Sequence, residues 1–382
     1  MVAKMFKKLW IFIILGLLTI GIVFISGCVQ EKGPTQPNET AALQSETEAP
    51  NTSPSIASLT TTSLAVSTPL QAQNGTQPTQ ISTPSPTPAV KFEGRYIDVH
   101  THIEPGQMSL TQIIQNMDNE GIDRMVIMNV PASLNPNQAE YGIPDAAKQY
   151  PDRFVALYGG EAIAMLESAA TSGSYTKADE EKYINLLEKE MRSGSYRGFG
   201  EIGLRHFVPA KASNAANQTI PGDHPWMFIM SDIAAKYNVP IDIHMEATDD
   251  TIRGFESLLD HNKSTKIIWD HAGWSNTGKA TPQLIRQLME KHPNLYTSIK
   301  IRKEKVSSAA YIFDNDGTIT PEWMALFKDY PDRFMIGSDI KLGVREGEIS
   351  YVKDQRKVLS QLPPEILKKI ERENAEKIFR MN

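Results

Sequence analysis

The chain has 382 residues, of which 40% are hydrophobic and 22% charged, with a formal net charge of −6 and a pI near 5.8. This balance gives no basic footprint for a polyanion, so nucleic acid is not an expected partner. Cys28 is the only cysteine, which excludes an intrachain disulfide.

The first residues read as a targeting signal. Lys4, Lys7 and Lys8 precede an apolar run from Leu9 to Ile25, which is short for a permanent membrane span and leads directly into Ser26-Gly27-Cys28. The run resembles a lipoprotein signal, in which a small-residue site precedes a cysteine that is cleaved and lipidated. Residues 1–28 are therefore expected to tether the mature chain by lipid on Cys28, the alternative being an uncleaved anchor helix. Both readings make the rest extracytoplasmic and membrane-anchored, at the outer cell surface. Residues 29–90 are rich in Ser, Thr, Pro, Gln and Asn with almost no aromatic side chains, a composition that cannot bury enough surface to offset ordering entropy. This segment is expected to be a disordered stalk, with acceptor-type sequons at Asn38, Asn51 and Asn74.

Residues 91–382 are globular in composition, and a single α/β barrel commonly occupies about 250 residues. Eight β-rich apolar segments recur: Tyr96–Val99, Met125–Val130, Phe154–Tyr158, Gly198–Ile202, Pro240–His244, Lys266–Asp270, Leu295–Ile299 and Phe334–Gly337. Between them lie amphipathic helical runs such as Glu180–Arg192, Trp226–Tyr237, Thr251–His261, Pro282–Lys291 and Pro321–Lys328. Alternating strands and helices imply parallel pairing, and eight such units predict one (β/α)8 TIM barrel. The phrase Tyr-Pro-Asp-Arg-Phe occurs at 150–154 and again at 330–334. Both copies read as helix-ending turns on the stability face, because Pro-Asp stops a helix and sets a turn.

In a barrel, catalytic residues gather at the C-terminal ends of the strands. The first strand ends in His100 and His102, whose side chains project from one side about 7 Å apart, within reach of a shared ion. Glu201 sits on the fourth strand, His244 ends the fifth, His271 the sixth and Asp339 the eighth. Together these are donors of the types that bind zinc or a similar divalent ion. Two or three neutral imidazoles and a carboxylate leave such an ion net positive, which lowers the pKa of a bound water to about 7. Asp339, beside ion and water, can act as general acid–base. Asp98 and Asp270, close in sequence to ligand histidines, are read as pointing the other way on their strands and as structural anchors.

The region from Tyr96 to Phe379 resembles the amidohydrolase superfamily, and within it the amidohydrolase-related branch that also contains decarboxylases. The likeness rests on Ile97-Asp98-Val99-His100-Thr101-His102, Ile241-Asp242-Ile243-His244, Trp269-Asp270-His271-Ala272-Gly273, Ile336-Gly337-Ser338-Asp339 and the closing Glu373-Asn374-Ala375-Glu376-Lys377-Ile378-Phe379. It implies that His100, His102, His244 and Asp339 bind the ion, with His271 as ligand or transition-state stabiliser. Many two-metal members carry a carboxylated lysine on the fourth strand, and this chain has none there. Its Gly200-Glu201-Ile202-Gly203-Leu204 instead resembles the TatD-type deoxyribonucleases, whose glutamate bridges two ions. Glu201 is thus expected either to bridge a second ion or to contact the first.

The loops that follow the strands set substrate preference. Leu204–Pro225, with Arg205, His206 and His224, is long enough for a lid that leads into Trp226, and Trp274 and Arg205 are the first candidates for substrate contact. Lys279, Lys300 and Arg302 are further cations in these loops, of the kind that hold a carboxylate or phosphate.

The leading expectation is a metal-dependent hydrolase acting on a small carbonyl compound such as an amide, lactone or ester. It would use one or two divalent ions, zinc first, with manganese, iron or nickel as alternatives. A decarboxylase on the same metal site, a TatD-like phosphodiesterase and a non-catalytic surface binding lipoprotein are the rival readings. Expected partners are a small-molecule substrate and, through the N-terminus, a membrane.

Overall fold

A computed structural model describes residues 94–103, 108–130, 142–206, 218–272, 279–301, 310–342 and 350–381. The signal segment with Cys28, the linker, Trp274 and Arg302 lie outside the described residues. All eight expected strands are present, with shifted ends. The first half of the barrel contains β1 (Tyr96–Ile103), α1 (Leu110–Glu120), β2 (Ile122–Met128), α2 (Ile143–Gln149), β3 (Phe154–Ala156), α3 (Glu161–Ser172), α4 (Lys177–Ser193) and β4 (Phe199–His206). A two-residue strand, β5 (Gln218–Thr219), pairs antiparallel with the end of β4. The second half runs α5 (Pro225–Tyr237), β6 (Pro240–Met245), α6 (Asp249–His261), β7 (Lys266–Ala272), α7 (Pro282–Lys291) and β8 (Leu295–Ile299). It continues through α8 (Pro321–Asp329), β9 (Phe334–Ile336), β10 (Ile340–Leu342), α9 (Ser350–Leu359), α10 (Pro364–Lys368) and α11 (Asn374–Phe379).

Parallel ladders connect β3, β2, β1, β9, β8, β7, β6 and β4 in that order. The chain just beyond β3 completes the circle. Tyr158 N–H donates to the Gly198 carbonyl at 2.9 Å, and Gly200 N–H donates to the Tyr158 carbonyl at 3.0 Å. Eight parallel strands joined in a ring, with helices along the connections, form a TIM barrel, and all the strand C-terminal ends lie on one rim.

Local chemistry accounts for the element ends. Ser109 and Gln112 form a reciprocal capping box at the start of α1, and Gly121 ends that helix in the left-handed region at φ 74°. Thr176 with Asp179, and Thr248 with Thr251, repeat the box on α4 and α6. The two Tyr-Pro-Asp-Arg-Phe phrases act alike. Tyr150 and Tyr330 end α2 and α8. Arg153 then donates from Nε to the Asp123 carbonyl at 2.8 Å and from Nη2 to the Ile122 carbonyl at 3.0 Å. Arg333 reaches the Pro293 and Leu295 carbonyls in the same way. Each arginine ties the start of a preceding strand to the turn before the next, at the N-terminal end of the barrel.

The apolar core has two parts. The larger lies between strands and helices and includes Trp226, Trp323, Phe255 and Phe334. The smaller joins Ile97, Val99, Val126, Leu157 and Met335 to Ile378 and Phe379 of α11.

One carboxyl is misplaced in this core. Glu167 of α3 is 7% exposed, and neither of its oxygens has a hydrogen-bond partner. Burial raises its pKa from 4.5 to about 8. The folded state therefore binds a proton that the unfolded chain releases above pH 4.5, so this residue's contribution is complete below that pH and is lost as pH rises toward 8. Glu167→Gln is expected to flatten the decline in unfolding midpoint between pH 5 and 8, read by thermal denaturation across that range; an unchanged pH profile would refute the assignment.

Candidate metal centre

The β1 spacing brings His100 and His102 to one side, with ring centroids 5.1 Å apart. β4 adds Glu201, β6 adds His244, β7 adds His271, and the turn between β9 and β10 adds Asp339. The five residues on the strands are no more than 5% exposed, whereas the Asp339 side chain is 18% exposed on the open side. The structure thus collects in one place the five residues that sequence reasoning named as ligands and His271, named as ligand or transition-state stabiliser.

Glu201 divides this group in two. Its Oε2 lies 3.6 Å from His100 Nε2 and 3.4 Å from His102 Nε2, and Asp339 Oδ1 completes that side at 3.2 Å from His102 Nε2. Its Oε1 lies 2.9 Å from His244 Nδ1 and 3.7 Å from His271 Nε2. Two donor atoms about 2.1 Å from one tetrahedral ion are about 3.4 Å apart, so these separations match the edges of a coordination polyhedron.

Tautomers support the same reading. His102 Nδ1 lies 3.0 Å from the Met128 carbonyl, which can only accept, so Nδ1 carries the hydrogen and the Nε2 lone pair faces Glu201 and Asp339. A lone pair facing two carboxylate oxygens requires a cation or a proton between them. His100 is fully buried, and both of its ring nitrogens face carboxylate oxygens 3.2–3.6 Å away. Without an ion, protons meet the demand. Burial opposes charge on His100, but Asp270, Glu201 and Asp242 outweigh it and raise its pKa well above the usual value. Burial likewise opposes charge on His244, yet Glu201 and Glu246 raise it to about 9. Glu201, despite burial, is held well below the carboxylate range by His100, and Asp339 by Lys300 and His102. The donor set fits a divalent ion, which would replace these protons.

A second layer orients the donors. His100 Nδ1 lies 3.2 Å from Asp270 Oδ1 and 3.4 Å from Asp242 Oδ1, and His244 Nε2 lies 3.3 Å from Glu246 Oε1. Asp98 Oδ1 accepts from His100 N–H at 3.2 Å and from Ser338 N–H at 3.0 Å, which fastens β1 to the turn that bears Asp339. The expectation that Asp270 points away from the site is therefore corrected, whereas Asp98 acts as the structural anchor expected of it, bonded to the His100 and Ser338 backbone and the Ser338 hydroxyl beside a register shift in β1. Asp270 directly precedes His271, but His271 has φ 67°, and this left-handed residue breaks the alternation so that both neighbours face inward. Asp339 has φ 53°, a second costly non-glycine conformation at the same centre. Gly337 is required nearby, since a Cβ there would sit 2.7 Å from Ser298 Cβ and 2.9 Å from His100 Cβ.

The remaining candidates sort differently. Lys300, read as one of several loop cations, is 2% exposed and pairs with Asp339 Oδ2. After burial, it is the main reason that His271 falls to about 3 and stays neutral. Arg205 donates from Nη1 to Thr219 Oγ1 at 2.8 Å and lines a cavity of about 520 Å³ with Thr248 and Arg253, a cavity whose walls include none of the clustered histidines. His224 is a helix cap whose Nδ1 accepts from Trp226 N–H at 3.2 Å, and Trp226 stacks on Tyr183 with centroids 4.5 Å apart. Both are structural. Lys279 forms an exposed pair with Asp249 at 3.0 Å. Sequence reasoning missed Asp242 and Glu246 as site residues, although they flank His244 at the same two-residue spacing that marks His100 and His102.

Removing the acceptor beside His100 tests this second layer. Asp270→Asn is expected to weaken divalent-ion binding about 10- to 100-fold, measured by competition with a chelating dye, with the far-ultraviolet circular dichroism unchanged. Wild-type affinity in that variant would show that Asp270 does not orient the ring.

Comparison with known proteins places the chain. A match to the amidohydrolase family covers residues 97–381. Among solved structures, an uncharacterized TIM-barrel protein from Bordetella bronchiseptica aligns with TM-score 0.50 and 14% identity over 75% of this chain and 99% of that one. 5-Carboxyvanillate decarboxylase from Novosphingobium aromaticivorans, solved with manganese and 4-hydroxy-3-methoxy-5-nitrobenzoic acid, aligns with TM-score 0.45 and 14% identity over 75% and 96%. An amidohydrolase from Burkholderia multivorans with bound zinc aligns with TM-score 0.46 and 10% identity over 76% and 100%. No curated protein sequence matches. The family match spans nearly the whole globular region and includes every residue of the clustered site, so the chain belongs to the amidohydrolase family and is an enzyme of that metal-dependent superfamily.

Proposed function

We propose that this enzyme hydrolyses a small carbonyl compound, an amide, lactone or ester, at a two-ion centre. His100, His102, Glu201 and Asp339 would hold one ion; Glu201, His244 and His271 would hold the other. The observation that carries this reading is the division of the two Glu201 oxygens between two histidine pairs. Divalent ions bound there supply Lewis acidity and a water whose pKa is lowered to about 7.

The chain's own groups do the rest. Asp339 presents Oδ1 to the ion side while Lys300 holds Oδ2, so the carboxylate is ionised and fixed in one orientation. From there it accepts the proton of the attacking water and returns it to the leaving group. His271, kept neutral, directs its Nε2 toward Glu201 rather than carrying a charge that would repel an ion. Zinc is the proposed metal, although imidazole and carboxylate donors also accept manganese, iron or nickel. Decarboxylation is the second reading. It is favoured by Lys300, whose buried ammonium beside Asp339 would attract a substrate carboxylate. The nuclease reading gains nothing from the family match, and the net charge of −6 disfavours a polyanion. From the signal-like run and Cys28 we further propose a lipid-tethered enzyme held outside the membrane.

Two measurements test the proposal. Across a panel of lactones, esters, amides and aromatic carboxylic acids, turnover of at least one carbonyl substrate is expected without release of carbon dioxide. It should vanish on chelation and return with added divalent ion; carbon dioxide release would select the second reading. Metal analysis is expected to find two ions per chain in the wild type and at most one in Glu201→Gln, whereas unchanged stoichiometry and activity in that variant would refute the shared carboxylate.

A further inference from the structure

At the opposite end of the barrel from the histidines lies a cavity of about 660 Å³, within the size range of small-molecule sites. Its walls come from strand beginnings and the last helix. Arg124 lies near the start of β2, Arg197 just before β4, Lys148 in α2, and Arg380 just after α11. Against these four cations stand Asp145 and Asp152, so the lining carries an excess of two positive charges.

Among the described residues, Lys148, Arg197 and Arg380 have no side-chain ion pair or hydrogen bond, and Asp145 and Asp152 do not neutralise them. The positions are fixed by backbone. Arg197 N–H donates to the Ala156 carbonyl of β3 at 2.9 Å, and Arg380 ends α11 with its N–H bonded to the Glu376 carbonyl. Arg380 has φ 54°, a helix-end conformation that glycine usually takes, so a charged side chain is kept at the cavity where the backbone prefers none. Burial and the nearby Arg197 both disfavour the charge on Arg380. With only Asp145 and Asp152 against four cations, the excess positive charge of the lining leaves a place for an anion. Pro144, Ala147 and Pro151, which keep exposed surface, supply an apolar part of the wall, with the buried Phe154 and Phe379 behind it.

We propose that this cavity is a second ligand site, taking a small organic anion whose phosphate or carboxylate is gripped by Arg197 and Arg380 and whose apolar body rests on Pro144, Ala147 and Pro151. Guanidinium forks match both anionic groups through paired N–H donors. Because the site is on the far face of the barrel, its occupant is an effector or retained ligand and not the substrate. The proposal does not depend on the chemistry at the metal centre.

The test is calorimetric titration of the metal-loaded full chain with phenyl phosphate, benzoate and inorganic phosphate. Three proteins are compared: wild type, the double variant Arg197→Gln/Arg380→Gln, and Glu201→Gln. Saturable binding of phenyl phosphate or benzoate is expected in wild type and in Glu201→Gln alike, tighter than inorganic phosphate. It should weaken about tenfold or more in the double variant, while the circular dichroism and metal content of that variant stay at wild-type values. Binding lost in Glu201→Gln but kept in the double variant would assign the anion to the metal centre and overturn the proposal. Absence of saturable binding for all three probes would overturn it as well. Should the double variant misfold, Arg197→Lys, which keeps the charge but loses the fork, is expected to weaken binding and to leave the fold intact.

Discussion

Four imidazoles and two carboxylates converge on one largely dry volume at the C-terminal rim of the barrel, with lone pairs directed at one another. Such an arrangement is unfavourable unless positive charge lies between the donors. In the metal-free chain protons on His100 and His244 supply it, and Lys300 supplies more beside Asp339. The site's ionisation states, its conformational strain and its bearing on catalysis all follow from this requirement.

The barrel meets the requirement by arranging backbone as much as side chains. Gly337 allows Ser298 and His100 to approach one another. Ser298 then accepts from His271 N–H at 3.2 Å and donates to Asp270 at 2.9 Å, so one hydroxyl sets both the ligand histidine and the carboxylate beneath its neighbour. The left-handed conformations of His271 and Asp339 are costly in isolation, by about 1–3 kcal/mol each, and are tolerated because hydrogen bonds to Ser298 and to the His100 carbonyl hold them. Strain is thus placed where donors must be aimed, and at the opposite end of the barrel Arg153 and Arg333 tie strand beginnings to the turns before the following strands.

Much of this is legible in the residues. Strand order, the parallel ring and the six clustered donors follow from alternating apolar segments and from the rule that strand ends share a rim. What is not legible depends on backbone conformation or on distant partners. The positive φ at His271 turns Asp270 inward, and no local pattern announces it. Lys300 reads as a solvated loop cation because nothing in its neighbourhood shows that β8 will carry it beneath Asp339. Asp242 and Glu246 are a different case, since their two-residue spacing from His244 is sufficient to place them on the same face. His224 lies close in sequence to the site, yet the α5 cap draws it into a structural role, and the β4–β5 pairing sets Arg205 at a cavity whose walls include none of the clustered histidines.

The central claim is that one glutamate is shared between two ions, and anomalous diffraction from zinc-soaked crystals tests it most directly. The account predicts two peaks about 3.5–4 Å apart with the Glu201 carboxylate between them, one peak beside His100 and His102 and the other beside His244 and His271. A single peak that leaves either Glu201 oxygen uncoordinated, or peaks away from these histidines, would contradict it.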